Sequence, residues 1–199
     1  MSTPILPQVS RVVPANEYRR MRWCNGQGWT REIACGPDRE AWDWRLSIAE
    51  VEGDCAFSSF PGIERELVLI RGNGMRLCFG DGERVELHPP HGRLRFSGVR
   101  EVSAELLDGP THDFNLMWRP GALHAELLLR PLVGPMFFFA GPGTHWALHL
   151  LAGQARFDAA SQLPPLWAGD TAILAGGAGR RRYALEGGGE LLAVKLSTL

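Results

Sequence analysis

The chain has 199 residues, 45% of them hydrophobic and 22% charged, with a formal net charge of -1. That much apolar material builds one sizeable domain or two small ones packed together, and excludes a disordered chain. The near-neutral balance leaves no basic footprint for nucleic acid, and no apolar run reaches the ~20 residues a membrane helix needs. The first ten residues lack a basic start followed by an apolar core, so no signal peptide is expected. Cys24, Cys35, Cys55 and Cys78 are scattered without a C-x-x-C pair, which favours free thiols in the cytoplasm over zinc or disulfides. Lys195 is the only lysine, so arginine carries almost all of the positive charge.

In chain order, Val9 to Val13 reads as a lead-in strand and Asn16 to Arg20 as a polar turn. Trp23-Cys24-Asn25-Gly26-Gln27-Gly28 is a glycine loop without the spacing of a phosphate-binding loop. Trp44 to Val51 alternates, with Trp44, Leu46 and Ile48 on one face and Arg45, Ser47 and Ala49 on the other. The run from Glu64 to Arg71, the turn Gly72-Asn73-Gly74 and the alternation from Met75 to Phe79 predict a β-hairpin. Arg84 to Leu87, Leu94 with Phe96, and Val102 to Leu106 continue the strands. In His112 to Arg119, Phe114, Leu116 and Trp118 share one face, and Asp113, Asn115, Met117 and Arg119 the other. The second face has the composition of a half-polar cavity wall, or equally of a solvent-facing strand.

Residues 121–135 read as a crossover containing one strand, Leu123 to Leu129. Beyond it, Trp146 to Leu150 ends at a predicted turn at Ala152-Gly153-Gln154. A turn at Pro164 to Asp170 leads into a strand from Thr171 to Leu174. Arg180 to Tyr183 and Glu190 to Leu196 complete a second half that repeats the first in miniature. Short strands, turns at roughly ten-residue intervals and few helical patterns predict an all-β sandwich or barrel, duplicated.

Four motifs stand in order: Trp23 to Ile33, Trp44-Arg45-Leu46-Ser47-Ile48-Ala49, Phe60-Pro61-Gly62-Ile63-Glu64-Arg65, and Asp108-Gly109-Pro110 with Asp113-Phe114-Asn115-Leu116-Met117. Together they resemble the HutD/Ves family, from about residue 9 to 196. The resemblance implies a bicupin: two fused jelly-roll β-barrels. On this reading residues 1–119 form an N-terminal segment and the first barrel, 120–134 the crossover, and 135–199 the second barrel, with which the N-terminal strand is free to pair. It also implies a role near histidine utilisation and a formylated or carboxylated ligand. The family's usual lysine in the first motif is replaced here by Cys24, and its Pro-Gly-x-Asp-Arg by Pro61-Gly62-Ile63-Glu64-Arg65.

Metal-dependent cupins hold an ion with histidines and a glutamate, and near those positions this chain has Phe60 and Gly62, neither of which coordinates. His145 and His149 are the best-spaced imidazole pair, yet four residues along a strand separate them by ~13 Å. No metal and no other cofactor is therefore expected. The arginines in the motifs lead instead, since a guanidinium inside a barrel matches a carboxylate with two parallel hydrogen bonds. The expected ligand-binding set is Thr30, Arg31, Arg45, Ser47, Phe60, Arg65, Asn115 and Met117, and no catalytic residue is assigned. For any one arginine the competing reading is pairing with Asp43, Glu64 or Asp113; for Phe60 and Met117 it is core packing. The partner expected is a small anionic metabolite, with a homodimer left open. The alternative is a metal-independent hydrolase or isomerase acting on a histidine-degradation intermediate such as N-formylglutamate.

Overall fold

The computed structural model describes residues 6–199, so the first five residues of the domain expected over 1–119 lie outside the described residues. The N-terminal half carries β1 (Arg11–Val13), β2 (Arg19–Arg22), β3 (Gly28–Gly36), β4 (Trp44–Val51), β5 (Cys55–Ala56) and β6 (Glu64–Arg71). Next come β7 (Met75–Phe79), β8 (Arg84–Leu87), β9 (Arg93–Ser97), β10 (Val102–Leu106) and β11 (Thr111–Trp118). The remainder supplies β12 (Leu123–Ala140), β13 (Thr144–Phe157), β14 (Leu166–Trp167), β15 (Thr171–Leu174) and β16 (Arg181–Thr198). Among the described residues helix is limited to two single 3-10 turns, Ala15–Glu17 and Ala159–Ser161. Among the described residues no helix is long and apolar enough to cross a membrane.

The chain divides into two compact units. The N-terminal unit comprises Arg19–Cys35 and Trp44–Pro120. In it a six-stranded sheet, β2-β3-β4-β11-β6-β9, faces a four-stranded one, β5-β10-β7-β8. Their shared core contains Leu67 and Leu69 from the first sheet and Met75, Leu77 and Ala104 from the second. The predicted hairpin across Gly72-Asn73-Gly74 is therefore corrected. β6 pairs with β11 and β9, whereas β7 pairs with β10 and β8. The turn is a corner that carries the chain from one sheet to the other. Gly72 has φ 101° and Gly74 φ 133°, and a Cβ on Gly72 would lie 2.6 Å from the Pro110 carbonyl oxygen. Alternation groups residues by face, but it carries no information about which strand lies alongside.

The C-terminal unit comprises Gly121–Leu199, Gly36–Asp43 and the described residues up to Tyr18. Its sheet runs β1-β15-β13-β16-β12, with β14 also on β13. The lead-in strand thus pairs with this unit, Arg11 opposite Ile173. The interior is filled by Leu148, Leu150, Phe157, Leu174, Tyr183 and Leu185 among others.

Three sequence readings change here. The expected crossover is the first part of the 18-residue strand β12. The expected turn at Gly153 lies inside β13, at a register shift between Leu150 and Ala152. The two expected C-terminal strands are one strand, β16. The reason is a row of glycines aligned across three strands: Gly134 opposite Gly187, and Gly153 opposite Gly189. Where one strand turns sharply, glycine reads as a break; where three strands bend together, it keeps the ladder intact. Gly153 (φ 87°) has no room for a side chain, because a Cβ would collide with the Gly188 carbonyl, whereas a Cβ on Gly188 would meet only the Leu132 carbonyl oxygen at 4.0 Å. Gly153→Ala is expected to lower Tm by roughly 4 °C or more, from a strain of about 1–3 kcal/mol. Gly188→Ala should leave Tm nearly unchanged. Equal effects from the two, in thermal unfolding followed by circular dichroism, would refute the glycine-corner account.

Candidate functional site

Strands β4, β11 and β6 lie side by side in the six-stranded sheet, and their register sets one polar row across it. Met117 lies opposite Arg45 on one side and Arg65 on the other; Asn115 lies opposite Ser47 and Leu67. Phe96 on β9 extends the first row beyond Arg65. The alternate residues Trp44, Leu46, Phe114, Leu116 and Trp118 occupy the opposite face and are buried as well. The ambiguity left by the alternation is thereby resolved: the half-polar face of β11 is an inner wall, not a solvent face.

That wall bounds a cavity of about 480 Å³. Seven of the eight expected residues line it: Thr30, Arg45, Ser47, Phe60, Arg65, Asn115 and Met117. Arg31 is not brought there. Adjacent residues of a strand project to opposite faces, so with Thr30 toward the cavity Arg31 points away, and its Nε lies 2.8 Å from Glu50 Oε1. Sequence reasoning missed the rim from the β2–β3 turn, including Trp23, Cys24 and Asn25, and missed Phe57 and Ser58 from the loop before β6. The signal was present at Trp23, which opens the first motif. Its indole N–H donates to Thr30 Oγ1 at 2.8 Å, and its ring meets Phe57 edge-on at 6.2 Å.

Of the three arginines lining the cavity, Arg22 pairs with Glu52 at 2.7 Å, and the two on the sheet wall differ from each other. Arg65 is only 6% exposed. Its Nη2 donates to Asn115 Oδ1 at 3.1 Å and its Nη1 to the Ser58 carbonyl at 3.4 Å, while the buried Nε has no hydrogen-bond partner. Among the described residues no carboxylate pairs with it. Phe96, Phe57 and Phe60 surround the guanidinium at 5.0, 5.5 and 5.7 Å from its central carbon. Burial pulls its pKa down to about 10, with the charge of Arg45 adding to the effect, so it stays charged at neutral pH. Arg45 is less buried, stands 5.3 Å from the Phe60 ring and donates to Met117 Sδ at 3.3 Å. Burial lowers its pKa too, but the nearby Glu32 carboxylate counteracts that shift. Phe60 thus lies against both cations.

Beneath Asn115 on the same strand face is Asp113, with no exposed surface. Thr111 Oγ1 donates to its Oδ2 at 3.1 Å, and its Oδ1 has no partner. It pairs with no arginine, contrary to the competing reading above. Burial pushes its pKa up to about 8 and, with contributions from Asp54 and Asp113, raises the neighbouring Cys55 thiol to about 11. His112 precedes Asp113 on the strand and projects to the other face, so the two do not form an acid–base pair.

The side chains do not fit a cupin metal. The cavity wall presents three guanidiniums and no imidazole, and among the described residues no three His, Cys, Asp or Glu side chains converge. His145 and His149 are both buried on β13 in the C-terminal unit, the latter 3.0 Å from Thr171 Oγ1. What the wall suits is an anion: a desolvated guanidinium lacking a carboxylate, with Thr30, Ser47 and Asn115 near it to orient polar groups.

Comparison with known proteins gives this geometry its relatives. The profile of the HutD family matches residues 15–193. The chain belongs to the HutD family. Over 119 residues it is 40% identical to an uncharacterized 21.2 kDa protein in the hutC 3' region of Pseudomonas putida, covering 59% of this chain and 62% of that one. Protein Ves of Cronobacter sakazakii is 38% identical over 106 residues, 53% of this chain and 58% of its own. The matches therefore span less than two thirds of these curated relatives. A structure of HutD from Pseudomonas fluorescens SBW25, in a formate condition, superposes with a TM-score of 0.82 at 30% identity, covering 96% of this chain and all of that one. A cupin 2 conserved barrel domain protein from Leptotrichia buccalis superposes at 0.57 and 13% identity, covering 98% and 100%, a likeness of fold alone. The fold is the all-β bicupin of two jelly-roll units.

Asp113 makes the stability of this HutD protein pH-dependent. Its carboxyl ionises near 3.8 when unfolded and near 8 when folded. Between those values the folded state holds a proton that the unfolded state has lost, so stability falls as pH rises from about 4 to about 8 and levels off above. Each unit in that window corresponds to about 1.4 kcal/mol. Asp113→Asn should remove the slope: close to wild type at pH 5, more stable at pH 8. Urea unfolding at both pH values checks this, and a gain that is the same at each would contradict it.

Proposed function

We propose that this protein binds a small anionic metabolite, carboxylated or formylated, in the cavity of its N-terminal unit, without a metal, and that it serves histidine utilisation as a regulatory binding protein. The observation that carries this reading is Arg65. Among the described residues it is a buried cation with no carboxylate partner, and its Nε, without a hydrogen-bond partner there, sits in a wall lined by Thr30, Ser47 and Asn115. Taking a guanidinium out of water costs several kcal/mol, and ring contacts and neutral hydrogen bonds supply no full opposite charge. An anion supplies the missing charge. Arg45 faces the same space, and Phe60 and Met117 give the ligand an apolar surface between the two cations. Support from the relatives is of two kinds: one lies in a hutC 3' region, and HutD of Pseudomonas fluorescens was examined in a formate condition, formate being the smallest carboxylate. All four cysteines are unbridged, which agrees with a cytoplasmic site of action.

The test uses thermal unfolding with formate and N-formylglutamate as probes. A ligand at 100-fold its Kd stabilises by about 2.7 kcal/mol, roughly a 5–10 °C rise in Tm for a chain of this size. Arg65→Met replaces a buried, incompletely compensated charge by an apolar side chain of similar length. It should therefore unfold no earlier than wild type while abolishing the shift. Arg45→Ala should weaken the shift at least tenfold in apparent Kd, about 1.4 kcal/mol. A shift that survives intact in both variants rejects the site.

A further inference from the structure

The turn between β2 and β3 sets a thiol at the mouth of the cavity, and anion binding alone gives it no role. In Trp23-Cys24-Asn25-Gly26 the Gly26 N–H donates to the Trp23 carbonyl at 3.0 Å, closing a β-turn. Gly26 has φ 72°, the left-handed conformation that suits glycine. Further contacts hold the turn in place. Arg22 Nη2 donates to the Gly26 carbonyl, Asn25 Oδ1 accepts from the Gln27 N–H at 3.0 Å, and the Trp23 ring is fixed by Thr30 and Phe57. Cys24 is exposed, yet it lines the cavity. Its thiol is therefore reachable from solvent while bordering the site.

The other three thiols are placed differently. Cys55 is buried, and Cys35 and Cys78 are half-buried on β3 and β7. Burial pushes the Cys55 thiol up to about 11 and also raises that of Cys78. A thiolate is what attacks a disulfide, and access limits its rate, so Cys24 is the thiol favoured for exchange.

The cavity behind Cys24 selects the charge of the reagent. Three arginines and no carboxylate line it. Independently of the thiol, Arg65 points to an anion: it is 6% exposed, lines the same space, and its buried Nε has no hydrogen-bond partner. A carboxylate is the group that a guanidinium binds through two parallel hydrogen bonds. At about 480 Å³ the space lies within the ~300–1,000 Å³ of small-molecule pockets, so a short thiol acid fits beside the wall.

We propose that Cys24 is a thiol-exchange site for small disulfides bearing a carboxylate, and that the captured half occupies and closes the anion site. This depends on the anion reading of the cavity given above. The Cys24 thiol gives its proton to solvent, and the thiolate attacks one sulfur of the disulfide. A bond from Cys24 Sγ to that sulfur forms as the reagent's own sulfur–sulfur bond breaks. The other half leaves as a thiolate and takes up a proton. Thiols and disulfides stay equal in number, so no further oxidant is needed. The captured carboxylate lies toward Arg65 and Arg45, where it excludes a free anion. A thiol reductant reverses the exchange, which ties anion binding to the redox state of the surroundings.

The test treats the reduced full chain at neutral pH with dithiodipropionic acid, or with cystamine, a disulfide of similar length bearing amines. Each rate is taken relative to that reagent's rate with free cysteine. Intact mass and peptide mapping should place one mercaptopropionate on Cys24. The diacid should be preferred over cystamine roughly tenfold or more, the scale of electrostatic focusing into a charged cleft. Arg65→Met should cut that preference severalfold, and Arg45→Ala replaces it if it fails to fold. Cys24→Ser should take up no diacid. The mixed disulfide should lose the rise in Tm that formate gives the reduced chain, and dithiothreitol should restore it. Modification of a different cysteine, or a formate shift that survives in the mixed disulfide, overturns the proposal alone. A reduced chain with no formate shift and no preference for the diacid overturns the anion site as well.

Discussion

A guanidinium lying almost wholly out of water, ringed by three phenyl groups and held by one amide oxygen and one carbonyl, is the constraint that organises the N-terminal unit. Burying such a charge without a carboxylate leaves a desolvation cost that hydrogen bonds and ring contacts recover only in part. Everything near Arg65 can be understood as limiting that cost without cancelling it. Phe57 and Phe60 come from a loop, Phe96 from the next strand, and Asn115 from the strand alongside. Had Asp113 lain one residue-pair nearer along β11, it would have neutralised the cation and closed the site to an anion. Instead it sits deeper, itself protonated near neutral pH and supported by Thr111.

The two units divide labour by how they fill their interiors. In the N-terminal unit, the far part of the sandwich is packed by Leu67, Leu69, Met75 and Leu77, while the near part carries polar groups around a cavity. In the C-terminal unit the corresponding volume holds leucines, phenylalanines and Tyr183. A jelly roll supports either outcome, because only the inward residues of each strand need change. The C-terminal unit carries the exposed rings of Phe137, Phe139 and Trp167 on the outside of its sheet.

Much of the site was legible because its residues fall at alternate positions of strands. Arg45 with Ser47, and Asn115 with Met117, had to share faces whatever the strands paired with. That those faces turn inward was decided only by the packing of the sheet. Arg31 was misplaced for a related reason: its motif membership was real, but as the neighbour of Thr30 it belongs to the opposite face, where Glu50 meets it. Trp23, Phe57 and Ser58 were not found because loop residues have no period from which a direction can be inferred.

The sequence by itself determined the strand-rich composition, which residues share a face along β4 and β11, the absence of metal-ligand spacing, and the motifs of the HutD family. Each is a local property, set by the two-residue period of a strand or by residue identity. Strand partners were decided only by tertiary structure, since hydrogen-bond ladders join segments far apart in the chain and any alternating strand can pair with another. That is why Gly72-Asn73-Gly74 became a corner between sheets instead of a hairpin, and why the glycines at 134, 153 and 187–189 bend long strands instead of ending them. It is also why the electrostatic asymmetry of the cavity was invisible beforehand: Arg45 and Arg65 look equivalent in sequence, and only burial and the position of Glu32 leave one of them without a counter-charge.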